Sequence, residues 1–166
     1  MSRDTENRIS DNYTVKRIVR FTVDQLPQGK RSVKAAIRGG KVHTYQDDKT
    51  RAYEADVAFF AKIAMGSKPL LEGPLKLTVG IYFAIPESAP KKFHEAMCAG
   101  LILTLKRPDC SNVIKSIEDG MNGVVFKDDC QVVSLTAFKM YSLKPRVDVC
   151  VSVWDAKVDT FAVPVR

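Results

Sequence analysis

The stretch LKLTVGIYF, residues 75–83, sets the strongest limit on the fold. Leu75, Leu77, Val79, Ile81 and Phe83 alternate without a break. A period of two puts them all on one face of a strand, and no helix can present them together. RVDVCVSVW near the C-terminus repeats the pattern through Val147, Val149, Val151 and Val153. RIVRFTV (Arg17 to Val23) reads as a first strand. The chain therefore has to build a sheet, half buried on one side.

Two other segments carry a helical period. From Thr50 to Met65, Tyr53, Val57, Phe60 and Ala64 recur as one apolar stripe, ended by Gly66 and Pro69. From about Ser111 to Met121, the residues Val113, Ile114, Ile117 and Met121 make a second stripe. Asn122-Gly123 closes that helix with a left-handed residue. Pro86 to Gly100 predicts a short basic helix. LILTLK predicts a short strand leading to Pro108. GVVF begins another strand, Lys127-Asp128-Asp129 interrupts it, and QVVSLTAFKMYS continues it. The order is β, loop, α, β, short α, β, α, β, β, which predicts an α+β fold with a mixed or mostly antiparallel sheet and two main helices.

The length, 166 residues, suits one domain with a real core. The expected boundaries are a flexible leader over 1–14, the folded domain over 15–155 and a tail over 156–166. The leader is polar and mixed in charge, unlike a signal peptide, and no stretch is long and apolar enough to span a membrane. The expectation is a cytoplasmic protein. Cys98, Cys110, Cys130 and Cys150 form no CxxC pair, and His43 and His94 are not at ligand spacing from them. Reduced, partly buried thiols are expected, without a structural zinc site.

The net charge is +7, and residues 15 to 55 alone carry an excess of six positive charges. LPQGKRSVKAAIRGGKVHTYQDDK in that region reads as a long basic loop or a loose hairpin. Lys30, Arg31, Lys34, Arg38, Lys49 and Arg51 are its candidate phosphate contacts. A well-solvated surface is the other reading of such a region.

The chemistry concentrates in KRPDCSNVIKSIEDGMNGVVFKDDCQVV, Lys106 to Val133. If the chain stays extended from Pro108 through Ser111, Asp109 and Ser111 point to one side. Asn112, Lys115 and Asp119 then follow on the exposed edge of the helix, and Asp128 and Asp129 return after the turn. Such carboxylates can hold a Mg²⁺ ion, which takes a few carboxylates plus waters and a substrate phosphate. Lys115 beside them can hold a scissile phosphate or stabilise its transition state. Each residue also has a plainer use. Asp109 or Ser111 can cap the helix, Lys115 and Asp119 can be an ordinary surface pair, and Asp128-Asp129 can be turn residues.

This run resembles the RusA family of Holliday junction resolvases, found mainly in phages and prophages. The resemblance lies in Arg107-Pro108-Asp109, Asn112, Lys115, Asp119, Asn122-Gly123, Asp128-Asp129 and Gln131, and it extends over about Arg17 to Trp154. It implies a dimeric, Mg²⁺-dependent endonuclease, with Mn²⁺ as a substitute metal, that cuts two opposed strands of a four-way DNA junction. It implies catalytic roles for Asp109, Lys115 and Asp129, and metal ligation by Asp109, Asp129 and Asp128. The family's second acid of the first pair falls on Ser111. Serine caps a helix about as well as aspartate, so the departure removes a charge and a strong ligand and leaves the fold alone. Glu118 lies seven residues on and roughly 10 Å along the helix, leaning back toward its start. Ser111, Asn112, Glu118 and Asp119 are thus auxiliary candidates. Three readings stand at this point: a junction resolvase, a metal-dependent nuclease that prefers another structure such as flaps or replication forks, and a weakened or inactive relative that holds branched DNA.

Overall fold

The computed structural model describes residues 17–30, 34–39, 41–45 and 47–155, with only the backbone described in 34–38 and 41–45. The strands are β1 (Ile18–Val23), β2 (Lys34–Arg38), β3 (Lys41–Tyr45), β4 (Leu75–Ala84), β5 (Val132–Ser142) and β6 (Arg146–Val153). The helices are α1 (Asp48–Met65), α2 (His94–Cys98) and α3 (Cys110–Met121). The fold is α+β, as expected. The leader and the tail lie outside the described residues.

Four strands form one mixed sheet in the order β1-β6-β4-β5. β6 runs antiparallel to both β1 and β4, while β5 runs parallel to β4. Parallel neighbours need a long crossover, and here it spans the chain between Ala84 and Val132, which carries α2 and α3. The alternation that predicts β4 is met in full: Leu75, Leu77, Val79, Ile81 and Phe83 are all buried. Val147, Val149 and Val151 of β6 join the same core, with Val153 at its margin.

α1 and α3 supply the rest of that core. Val113, Ile114, Ile117 and Met121 are buried on α3, as their spacing predicts. On α1 the buried stripe is Thr50, Tyr53, Val57, Ala61 and Met65, while Phe60 and Ala64 pack at its edge. The stripe is rotated from the predicted one because α3 lies on that side. The two helices meet at Gly120, where an added Cβ would stand 2.7 Å from both the Glu54 carbonyl oxygen and Val57 Cβ. α1 stops where expected, at Gly66 with φ +57°. α3 is closed by Asn122, followed by Gly123 at φ +72°.

The basic segment contains an antiparallel hairpin, β2 with β3, from Lys34 paired with Tyr45 to Arg38 paired with Lys41. Pro86 to Gly100 is a 3₁₀ turn, Lys91–Phe93, running into α2. Two strand expectations fail. LILTLK forms no strand, and its Leu101, Leu103 and Leu105 are 80%, 64% and 95% exposed, so no neighbour among the described residues pairs with or covers them. GVVF is a turn with single bridges from Phe126 to Leu71 and Asn122; Val125 and Phe126 are buried there as core plugs. The cysteines are free, but Cys98 and Cys130 are exposed and only Cys110 and Cys150 are half-buried, so the expectation of partly buried thiols holds for two of four. No helix among the described residues is long and apolar enough to cross a membrane.

Candidate active site

α3 starts one residue earlier than its pattern suggests, at Cys110, with Asp109 as the N-cap residue at φ −74°, ψ 162°. Ser111 is therefore inside the first turn and exposed, and the expected extended run from Asp109 through Ser111 does not form. The helix bonds already begin there: Val113 N donates to the Asp109 carbonyl at 3.3 Å. The Asp109 carboxylate accepts no capping bond, so it is not spent on closing the helix. It faces a cleft of about 710 Å³ lined by Gln28, Gly29, Lys30, Arg107, Pro108, Asp109 and Asn112. A second hollow of about 430 Å³, between Arg20, Gly80, Tyr82 and Phe138 on the sheet, shares no residue with it.

One wall of the cleft comes from far away in the sequence. Gly29 sits so close that an added Cβ would lie 2.7 Å from Pro108 Cβ and 3.0 Å from Asn112 Cβ. Lys30 N donates to the Asn112 carbonyl at 2.9 Å, and Lys30 Nζ donates to Asp119 Oδ2. From there the charges alternate along the site. Lys115 Nζ lies 3.6 Å from Asp119 Oδ1 and 2.5 Å from Asp129 Oδ2. Lys30, Asp119, Lys115 and Asp129 thus form one continuous row.

The row shapes the titration of its members. The hydrogen bond that Lys115 donates to Asp129 raises the Lys115 pKa, against a smaller opposing effect of burial, and the charges of Asp119, Asp129 and Glu118 raise it further. Burial raises the Glu118 carboxyl; Lys115 works against that, and the negative charges of Asp129 and Asp119 add to it. Three carboxylates therefore share the field around one ammonium.

Asp129 opens a 3₁₀ turn, Asp129–Gln131, built as a capping box. Asp128 Oδ1 accepts from Cys130 N at 2.9 Å, and this bond holds the Asp128 carboxyl below the usual carboxylate range. Gln131 Oε1 accepts from Lys127 N at 3.0 Å and from Asp128 N at 3.3 Å. Its Nε2 donates to the carbonyls of Leu71 at 3.2 Å and Gly73 at 3.1 Å. Gln131 thereby fixes the turn that carries Asp129 to the segment leading into β4.

Among the described residues, no three His, Cys, Asp or Glu side chains gather closely enough to hold an ion. The donor chemistry of the acids still suits Mg²⁺, because carboxylates offer the hard oxygens that such an ion takes. Lys115 also marks a place where a cation is already drawn between Asp119 and Asp129. The residues fit such an ion in donor type and charge, but Asp109, Asp128 and Asp129 are not gathered into one cluster.

The basic candidates divide. Lys30 is in the cleft, against Asp119. Lys49 and Arg51 are exposed on the first turn of α1, where Arg51 pairs with Asp48 at 2.7 Å. Lys34 and Arg38 stand on β2, with only their backbone described, and Arg31 lies outside the described residues. Lys139 is a lysine at the edge of the site that the sequence reading misses. From β5 its Nζ donates to the Pro108 carbonyl at 3.1 Å and also to the Lys106 carbonyl, bracing the chain just before Asp109. No local pattern marks it, because its pairing opposite Ile81 arises only when β5 lies parallel to β4.

Comparison with known proteins bears on this site directly. Residues 24–152 match the family described as Endodeoxyribonuclease RusA, which includes every residue of the row and the cleft. The chain is also similar to the "Uncharacterized protein YqaN" of Bacillus subtilis (strain 168), 34% identical over 137 residues, covering 80% of this chain and 94% of the other. With the matched region spanning α1, β4, α3 and β5 and reaching Ser152 in β6, as well as the acids, the chain belongs to the RusA endodeoxyribonuclease family.

Proposed function

We propose that the chain is a Mg²⁺-dependent, structure-specific endodeoxyribonuclease that resolves four-way DNA junctions by paired symmetric nicks, in recombination, repair or phage DNA processing. The observation that supports it most is the Lys115–Asp129 pair, 2.5 Å apart, with Lys115 on the helix that begins at the uncapped Asp109. Hydrolysing a phosphodiester requires positive charge at its non-bridging oxygens and carboxylates to manage water and metal. Lys115 provides the first. Asp109 and Asp129 provide the second, joined by Asp128, which gives one carboxylate oxygen to the Cys130 N–H. Bound there, Mg²⁺, or Mn²⁺ in its place, would activate water and neutralise charge on the phosphoryl group.

The rest is done by the chain. An arriving phosphate competes with Asp129 for Lys115, so the amine can pass from carboxylate to substrate without leaving the site. Arg107 lines the cleft mouth beside Asp109 and offsets its repulsion of DNA. The hairpin β2–β3 and the exposed start of α1 lend the sequence-independent phosphate contacts. A junction has two-fold symmetry and needs two opposed cuts, so a C₂ homodimer suits it.

Ser111 favours a second reading. It lies exposed in the first turn where the family carries an acid, so the site has one ligand fewer and the chain would hold branched DNA with weak or no cutting. Incubation with a mobile synthetic four-way junction and a linear duplex, with and without Mg²⁺, separates the two. Mg²⁺-dependent cutting confined to the junction supports the nuclease. Tight junction binding with no product at any metal concentration supports the second reading.

A further inference from the structure

Lys30 comes from the basic N-terminal region, where charge alone marks it as a phosphate contact. Its surroundings point elsewhere. The backbone of Lys30 is pinned to α3 by the bond from its N–H to the Asn112 carbonyl at 2.9 Å. The chain before it presses on Pro108 and Asn112 at Gly29, with no room for a side chain. The Lys30 ammonium is then fixed on Asp119, with the two side chains 30% and 19% exposed. A lysine meant chiefly for DNA would keep its amine free and well solvated.

Lys115 meanwhile has two carboxylates within reach, Asp129 at 2.5 Å and Asp119 at 3.6 Å. An ammonium between two carboxylates goes to the one whose charge is less neutralised by others. Lys30 neutralises Asp119, and Lys115 is left to Asp129. We propose that Lys30 is a positioning residue of the cutting site: by holding Asp119, it keeps the Lys115 amine on the Asp129 side, where the scissile phosphate is received. Remove Lys30, and Asp119 draws Lys115 one turn down the helix and away from the phosphate. This inference rests on the nuclease reading of the same site.

The test uses the full chain and the four-way junction with Mg²⁺. Lys30→Ala, Lys30→Arg, Asp119→Asn and the double variant Lys30→Ala/Asp119→Asn are compared in single-turnover cutting at saturating protein. Junction affinity and its salt dependence are measured in parallel without divalent metal. Lys30→Ala lowers the saturating rate by about tenfold or more, as displaced catalytic groups do, and leaves affinity and salt slope unchanged. Lys30→Arg recovers most of the rate. With Asp119→Asn no competing carboxylate remains, so Lys30→Ala costs nothing further. Should Asp119→Asn be too slow to follow, the Ala and Arg variants decide, and Lys30→Gln replaces Lys30→Ala should the alanine variant not fold.

Weaker affinity and a flatter salt slope with an unchanged saturating rate would make Lys30 a phosphate contact and overturn the proposal. Equal losses in both backgrounds would overturn it too. A wild type that cuts nothing, together with Lys30–Asp119 coupling in thermal unfolding, would defeat the nuclease reading itself and leave Lys30 as a fold contact.

Discussion

Lys115 Nζ is bonded to Asp129 Oδ2 at 2.5 Å, joining the middle of α3 to a turn that lies beyond the helix's C-terminal end. The contact is possible because Asn122 and Gly123 end the helix and the chain doubles back, with Gly123 N donating to the Phe126 carbonyl at 2.8 Å and Leu71 N to the Val125 carbonyl at 2.7 Å. The pair is half exposed, so solvent screens it and its worth to stability is small. Its value is positional.

The turn that carries Asp129 depends on Gln131. Gln131→Ala removes four hydrogen bonds and leaves the Leu71 and Gly73 carbonyls without that donor. Stability should fall by about 1–2 kcal/mol in urea denaturation. The cutting rate should fall further than that loss explains, since Asp129 is no longer held toward Lys115, while junction affinity stays the same.

Gly120 is the closest approach of the two long helices. Gly120→Ala places a methyl against the Glu54 backbone and Val57. Overpacking of this kind costs about 1–3 kcal/mol, despite the better helix propensity of alanine. Thermal unfolding should show a clear drop in Tm. An unchanged or higher Tm would mean that α1 and α3 are packed more loosely than described.

Glu118 gives a dependence on pH with a definite sign. Burial first, then the charges of Asp129 and Asp119, raise its folded pKa above the unfolded value. A raised carboxyl lends stability below its unfolded value and loses it as pH rises through the folded value. At neutral pH its charge is therefore a net cost. Glu118→Gln should raise Tm at pH 7, and the gain should vanish below the ordinary glutamate range. Lys115 behaves differently: its raised pKa keeps its contribution intact through neutrality and loses it only above the ordinary lysine range.

The basic hairpin should act on DNA without regard to sequence. Lys34→Ala with Arg38→Ala should weaken binding to every junction alike and lower the salt slope by about 0.9 for each phosphate that is no longer neutralised. Affinity and slope that do not change would make this hairpin a solvated surface.

Much of this was legible in the sequence because it is local. The alternation of β4, the stripe of α3 and its Asn122-Gly123 stop depend on neighbours a few residues apart. The acids of the site were legible by type and spacing. Their pairing was not. Asp129 meets Lys115 because of the turn at Gly123, and Lys30 meets Asp119 across the whole of α1 and β4, which no local pattern records. Asp128 reads as one of the metal-holding acids, yet part of its carboxylate goes to the Cys130 backbone. The LILTLK run has the composition of a strand and lacks a partner among the described residues, where β5, one of the two edge strands, pairs with β4 alone. The parallel register of β4 with β5 is likewise invisible in either strand by itself.

The central claim is that Asp109, free of capping duty, acts with the Lys115–Asp129 pair to make this a cutting site. The most direct measurement is single-turnover cleavage of a mobile four-way junction by the wild type and by Asp109→Asn, across a Mg²⁺ titration, with junction affinity measured alongside. The wild type should make paired, opposed nicks that rise with Mg²⁺. Asp109→Asn should make none, while binding the junction as tightly or more tightly because a charge repelling phosphate is gone. Equal cutting by both proteins, or no cutting by the wild type at any Mg²⁺ or Mn²⁺ concentration, would contradict the claim.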